Sequence, residues 1–182
     1  MAVSESRIDS HRPASLYLYG ERDDIDRAYR LGELRLRPSQ TDPTRAKQIS
    51  EGQILPFGPR KTVATNDFLV LSLTTAWSET FFIKNPAAMR CLMIRNTEEF
   101  GERLHRAVAR ILPQWAGIDA AIAYGAPSPL GAAFTKDRHL SAQKEWLFAW
   151  RPMQPTASIQ PIVIQMGSLE SICDVRDSAA SI

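Results

Sequence analysis

The run SAQKEWLFAW, from Ser141 to Trp150, constrains the architecture of this chain more than any other stretch. Side chains along a β-strand alternate between two faces. On that pattern Lys144, Trp146, Phe148 and Trp150 share one side, while Gln143, Glu145, Leu147 and Ala149 share the other. Three large aromatics mark the first side as a core face. The second sets an amide and a carboxylate beside smaller apolar groups, which suits the wall of a cleft better than a solvated surface.

Other short runs alternate in the same way. SLYLYGE (Ser15–Glu21) sets Leu16 and Leu18 against Tyr17 and Tyr19, and ELRLRP sets Leu34 and Leu36 against Arg35 and Arg37 before Pro38 stops it. FLVLSLTT (Phe68–Thr75) is the strongest strand, with Leu69, Leu71 and Leu73 opposite Val70, Ser72 and Thr74. RCLMIRN and DAAIAY also read as strands, and SIQPIVIQMG (Ser158–Gly167) as the last one. RDDIDRAYRLGE carries its acids early and Arg27 and Arg30 late, as a helix dipole prefers, with Gly32 at its end. TEEFGERLHRAVARIL is the clearest helix, capped by Asn96 or Thr97 and striped by Phe100, Leu104, Ala107, Val108 and Ile111. AWSETFFIKNPAAM suggests a short helix and a turn, and SLESICDV a closing helical turn. The stretches SQTDPTRAKQISEG, QILPFGPRKTVATND and GAPSPLGAAFTKDRHL read mainly as loops. Six or seven strands and two or three helices, not in strict alternation, predict an α+β fold rather than a doubly wound parallel one.

A chain of 182 residues, 44% of them hydrophobic, is expected to form one domain. Its expected bounds are 15–177, after a flexible lead-in (1–14) and before a frayed tail (178–182). A net charge of +2 gives no reason to expect bulk binding to nucleic acid or membrane. Cys91 and Cys173 stand far apart and in no CxxC spacing, which argues against a disulfide framework or a structural zinc. No apolar run approaches the ~20 residues that cross a bilayer. The polar N-terminus has no secretory h-region, so a cytoplasmic location is the expectation. Walker, GxGxxG, HExxH and GxSxG signatures are absent. His11, His105 and His139 have no metal-ligand spacing. His105 is expected to pack or face solvent in mid-helix, and a contact of His139 near a site stays open.

The remaining polar pattern is Ser72 and Thr74 on one strand with Gln143 and Glu145 on another. LYLY, FLVLSLTT and QKEW, in that order, resemble the three-part signature of the ADP-ribosyltransferase-like fold. In that fold a first-strand residue, a Ser-Thr-Ser type strand and a Gln/Glu-x-Glu motif surround NAD. LYLY, Asp42-Pro43, LSLT, FTKDRHLSAQKEWLF and GSLESI are also similar to pieces of a group of small bacterial proteins assigned to that fold, which show an EKEWRF-type motif. The likeness runs from about Ser15 to Asp174. It implies a split, mixed or antiparallel β-sheet with a few flanking helices. It further implies NAD as substrate, no metal, and mono-ADP-ribosylation of a macromolecule, protein or nucleic acid. Such a protein would act as a toxin, defence protein or phage factor, with a neutralising protein as a further partner and no membrane.

The resemblance also assigns roles. Breaking the nicotinamide–ribose bond develops positive charge on the sugar, which a carboxylate accepting a ribose hydrogen bond stabilises. Glu145 is the candidate for that work, and Gln143 for orienting the nucleophile. Glu at the earlier position often goes with arginine targets, so Gln143 implies another acceptor. Ser72 and Thr74, with Thr75 as a third, would bind the ribose or brace Glu145. The first strand offers Tyr17 and Tyr19, with Arg22 just beyond, where the family usually supplies Arg or His; the tyrosines would stack on nicotinamide. Arg35 and Arg37 would hold the pyrophosphate. Each residue also has a plainer reading: Glu145 in an ion pair, the hydroxyls and tyrosines as sheet packing, and the arginines as a solvated face. At the level of function the alternative is a binding module that kept the fold without turnover and recognises a nucleotide or a partner protein.

Overall fold

The computed structural model describes residues 11–39, 68–83, 89–154, 156 and 158–178. The expected loop across residues 40–67, with Asp42-Pro43 in it, lies outside the described residues, as do 1–10 and 179–182. The chain is α+β, with a mostly antiparallel sheet and few helices.

The first alternating run forms β1 (Leu16–Glu21), followed by helix α1 (Arg22–Leu31) and β2 (Glu33–Pro38). Gly32, at φ 63°, ends α1; its N–H donates to Ala28 O at 2.9 Å. A Cβ there would sit 2.3 Å from Gly167 O, so the position needs glycine for both its backbone angle and its space. Next come β3 (Leu69–Thr74), the short helix α2 (Thr80–Ile83) and β4 (Met89–Ile94). Helix α3 (Thr97–Ile111) starts at Asn96, whose side chain accepts from Glu99 N at 3.1 Å. The C-terminal half contributes β5 (Trp115–Ala121), β6 (Ala123–Tyr124), β7 (Thr135–Lys136), β8 (Glu145–Pro152), β9 (Ile162–Gln165) and β10 (Cys173–Arg176).

The described residues thus hold ten strands, not six or seven. β7 lies within a stretch expected to be loop, and the expected strand DAAIAY is divided between β5 and β6. The closing helical turn is only a turn at residues 170–172; Cys173–Arg176 instead pairs with β4, Cys173 opposite Ile94. Residues 11–14 of the lead-in are anchored at two points. Thr97 Oγ1 donates to Pro13 O at 2.7 Å, and Arg12, 14% exposed, reaches Asp119 and Glu98.

β3 organises the sheet. One of its edges pairs with β8 along its whole length, from Leu69 opposite Trp150 to Thr74 opposite Glu145. β1 and β2 share its other edge. β1 meets it at Tyr17–Thr74, and β2 meets it at Arg37–Val70 and Pro38–Leu69. Between these contacts β1 and β2 diverge into a fork, bridged by α1.

Opposite residues of an antiparallel pair share a face. Leu16, Leu71, Leu73, Trp146, Phe148 and Trp150 therefore lie on one face, packed against Ile25 and Ala28 of α1 and Phe100, Leu104 and Val108 of α3. The other face carries Tyr17, Tyr19, Arg35, Arg37, Ser72, Thr74 and Glu145. A smaller apolar cluster of Leu147, Ala149, Ala120, Ile122 and Phe134 covers its far end.

Candidate functional site

In the fork lies a cleft of about 420 Å³, within the roughly 300–1,000 Å³ usual for small-molecule sites. Its described walls include Tyr19, Ile25, Ala28, Arg35, Arg37 and Ser72. Arg35 and Arg37 are exposed and make no ion pair among the described residues. Arg27 at the rim is bound to Asp24 and, at 3.0 Å, to Glu33. Among the described residues, two cations without counter-ions therefore line the cleft from β2. Arg22 is turned away to Asp177, 3.2 Å off.

Ser72 links the cleft to the carboxylate behind it. Its Oγ donates to Glu145 Oε1 at 2.6 Å. The two residues are diagonal neighbours, since Thr74 stands opposite Glu145 and Ser72 opposite Leu147. Glu145 is only 5% exposed, and its Oε2 lies 2.7 Å from Lys136 Nζ. That contact is a close ion pair rather than an aligned hydrogen bond. Lys136 is equally dry, at 4% exposure, and donates to Gln143 Oε1 at 3.0 Å. The parallel pair β6–β7 brings it there, with Tyr124 in register with Lys136. The backbone N–H of Glu145 donates to Tyr124 Oη at 3.0 Å, so both members of that register pair contact Glu145.

Gln143 reaches this group by a different route from strand alternation. It ends a 3₁₀ helix, Arg138–Gln143, and Lys144 takes a left-handed φ of 44° before β8 begins at Glu145. Lys144 is exposed and lies outside the aromatic stripe. Its turn is held from β3: Lys144 O accepts from Thr75 N at 2.8 Å and from Thr75 Oγ1 at 3.2 Å, while Thr74 Oγ1 donates to Gln143 O at 3.0 Å. Thr74 and Thr75 therefore brace the approach to Glu145, whereas Ser72 faces the cleft. A non-glycine residue in a left-handed conformation costs on the order of 1 kcal/mol, which such bonds offset.

Tyr19 belongs to an aromatic nest. It stacks on Phe81 at 4.6 Å between centroids and meets Phe82 edge-on at 5.4 Å. Its hydroxyl accepts from Ser78 N at 2.9 Å, and burial pushes its pKa upward. Trp77 spans Tyr17 and Tyr19. Tyr19 also lines the cleft, whereas Tyr17 sits where β1 joins β3.

A second polar centre lies on the core face and was not visible in the sequence pattern. Asp119, its side chain 7% exposed, accepts from Arg12 Nε at 2.8 Å and Nη2 at 2.7 Å. It also bonds His105 Nε2 at 2.8 Å and accepts from Trp146 Nε1 at 2.9 Å. Trp150 Nε1 donates to His105 Nδ1 at 3.1 Å, so Nε2 carries the proton given to Asp119. Burial pushes the Asp119 carboxyl up, but the bonds from His105, Arg12 and Trp146 outweigh it and hold the group at about 2. His105 is thus a packing residue with a defined partner. His139 is exposed on the 3₁₀ helix.

Burial raises both thiols to about 12, so neither Cys91 nor Cys173 offers a thiolate at neutral pH. Among the described residues no helix is long and apolar enough to cross a membrane.

The missed residues had faint signals. Lys136 is the lysine of FTKDRH, nine positions before Glu145, and nothing in that spacing shows that a two-residue strand will turn it inward. Tyr124 closes DAAIAY, and its hydroxyl finds Glu145 only once β6 is placed. No family model matches the chain, and no similar curated protein or solved structure was found.

Proposed function

We propose that the chain binds NAD in the fork between β1 and β2 and transfers its ADP-ribosyl group to a macromolecular acceptor, with Glu145 as the carboxylate of the reaction. One observation carries this reading: Ser72, on the cleft wall, donates to Glu145 Oε1 at 2.6 Å. The division of the sheet along one edge of β3 also supports an ADP-ribosyltransferase-like type.

NAD, when bound, supplies a ribosyl carbon whose bond to nicotinamide breaks as positive charge grows on the sugar. Glu145, held by Ser72, accepts a ribose hydrogen bond that strengthens as that charge develops. Arg35 and Arg37 take the pyrophosphate through charge-assisted bonds. The Tyr19 ring, fixed by Phe81 and Phe82, forms the apolar flank of the nicotinamide. Gln143, bound through its carbonyl oxygen to Lys136, orients the acceptor.

The second reading, a nucleotide-binding module without turnover, draws on a different observation. Glu145 is 5% exposed and lies against a buried ammonium that opposes positive charge on a sugar. Labelled NAD incubated with a cell lysate and either wild type or Glu145→Gln separates the two. Label in a macromolecule with wild type alone, and NAD bound by both proteins, is expected. NAD bound by both with no label leaves the binding module, and a wild type that binds no NAD removes the transferase reading and any module whose nucleotide is NAD.

A further inference from the structure

We propose that Lys136 is the positioning residue of this site, fixing Glu145 and Gln143 together, an inference that rests on the transferase reading above. A carboxylate in so dry a position is costly to keep ionised unless a cation stands beside it. Lys136 supplies such a cation, 2.7 Å from Glu145 Oε2. An aligned hydrogen bond of its ammonium goes to Gln143, at 3.0 Å. An ammonium has donors only, so the Gln143 atom it meets is the carbonyl oxygen, and the amide N–H groups are directed elsewhere. One buried side chain thereby sets the place of the carboxylate and the orientation of the amide.

The consequence for chemistry is specific. With an ammonium so close, the net field of Glu145 at the cleft is damped. What the carboxylate then offers is an oriented hydrogen-bond acceptor, with Ser72 fixing the other oxygen. Losing Lys136 changes placement before it changes ligand binding, because Lys136 lies behind the cleft wall and Arg35 and Arg37 stand in it.

Lys136→Met and Lys136→Arg, beside wild type, are examined by crystal structure, NAD affinity and transfer rate at saturating NAD. In Lys136→Met the Glu145 carboxylate is expected to leave Ser72 or the Gln143 amide to turn. NAD affinity should stay within about threefold while transfer falls by about 10²-fold, the scale of an ångström's misplacement. Lys136→Arg, which keeps the charge, should recover part of the rate. Should Lys136→Met fail to fold, Lys136→Gln, neutral but still a donor, is read by the same criteria. A folded neutral variant with Glu145 and Gln143 unmoved overturns the proposal, as does wild-type transfer. A parallel fall of rate and NAD affinity overturns it too, since that marks a role in binding NAD. A wild type that binds NAD without transfer removes the transferase reading and the rate effect with it; the crystal positions then decide the placement role alone.

Discussion

Replacing Asp119 with Asn removes one buried charge and nearly preserves shape. The wild-type carboxyl sits at about 2 against an ordinary 3.8. Each pKa unit is worth about 1.4 kcal/mol, so the depressed value corresponds to roughly 2–3 kcal/mol of stability. Because the folded value lies below the ordinary one, that stability is complete above about pH 5 and is lost as pH falls towards 2. At neutral pH the variant leaves Arg12, 14% exposed, with the exposed Glu98 as its one carboxylate among the described residues. Removing one partner of such a buried pair costs about 3 kcal/mol or more. For a chain of this size that lowers Tm by about 6–12 °C. Thermal unfolding followed by circular dichroism at pH values from 7 to 2.5, on both proteins, measures the gap directly. The gap should narrow by about 2 kcal/mol on acidification. Asp177, held low by its bond from Arg90, titrates in both proteins and drops out of the comparison. Parallel curves, or a neutral-pH gap below about 1 kcal/mol, would refute the view that Arg12, His105 and Trp146 stabilise the fold through this carboxylate.

Chemical denaturation of Lys136→Met and Glu145→Gln should show each losing about 3–5 kcal/mol, because each removes one partner of a buried ion pair. The double variant should lose less than the sum of the two; strict additivity would mean that the pair is not coupled. Gly117→Ala should destabilise by about 1–3 kcal/mol, since its Cβ would stand 2.4 Å from Trp150 Cδ1 and the indole is anchored to His105; an unchanged Tm counts against that packing. Arg35→Ala combined with Arg37→Ala should leave stability within about 0.5 kcal/mol yet weaken NAD binding and flatten its salt dependence in calorimetric titrations. Unchanged affinity would place the pyrophosphate elsewhere. Ser72→Ala should lower the transfer rate more than NAD affinity, and equal losses in both would make Ser72 a ligand contact rather than a brace.

Much of the sheet was legible because its signals are local. The leucines of β3 and the aromatics of β8 announce their faces by simple alternation, and Asn96 and Gly32 mark helix ends through their own side-chain and backbone chemistry. Pairing register then carried Tyr17, Tyr19, Arg35, Arg37, Ser72 and Glu145 onto one face, which no single strand could show. What escaped was non-local or exceptional. Arg12 finds Asp119 across 107 residues, with no periodicity to betray it. Alternation also misled at Gln143, because a left-handed Lys144 interrupts the strand that the pattern extended through it. Lys136 carries no signal of its own within FTKDRH, since burial of a lysine is visible only when its carboxylate partner is placed.

The forked edge of β3 has a consequence for selectivity. Backbone groups along a sheet edge need partners, and among the described residues no strand covers the middle of this one between the contacts of β1 and β2. A guest in the cleft that carries its own donors and acceptors can meet main chain there, where substitution cannot alter the pattern offered. Variation of the cleft side chains would then retune which guest is preferred while leaving a common affinity for molecules shaped to lie along that edge.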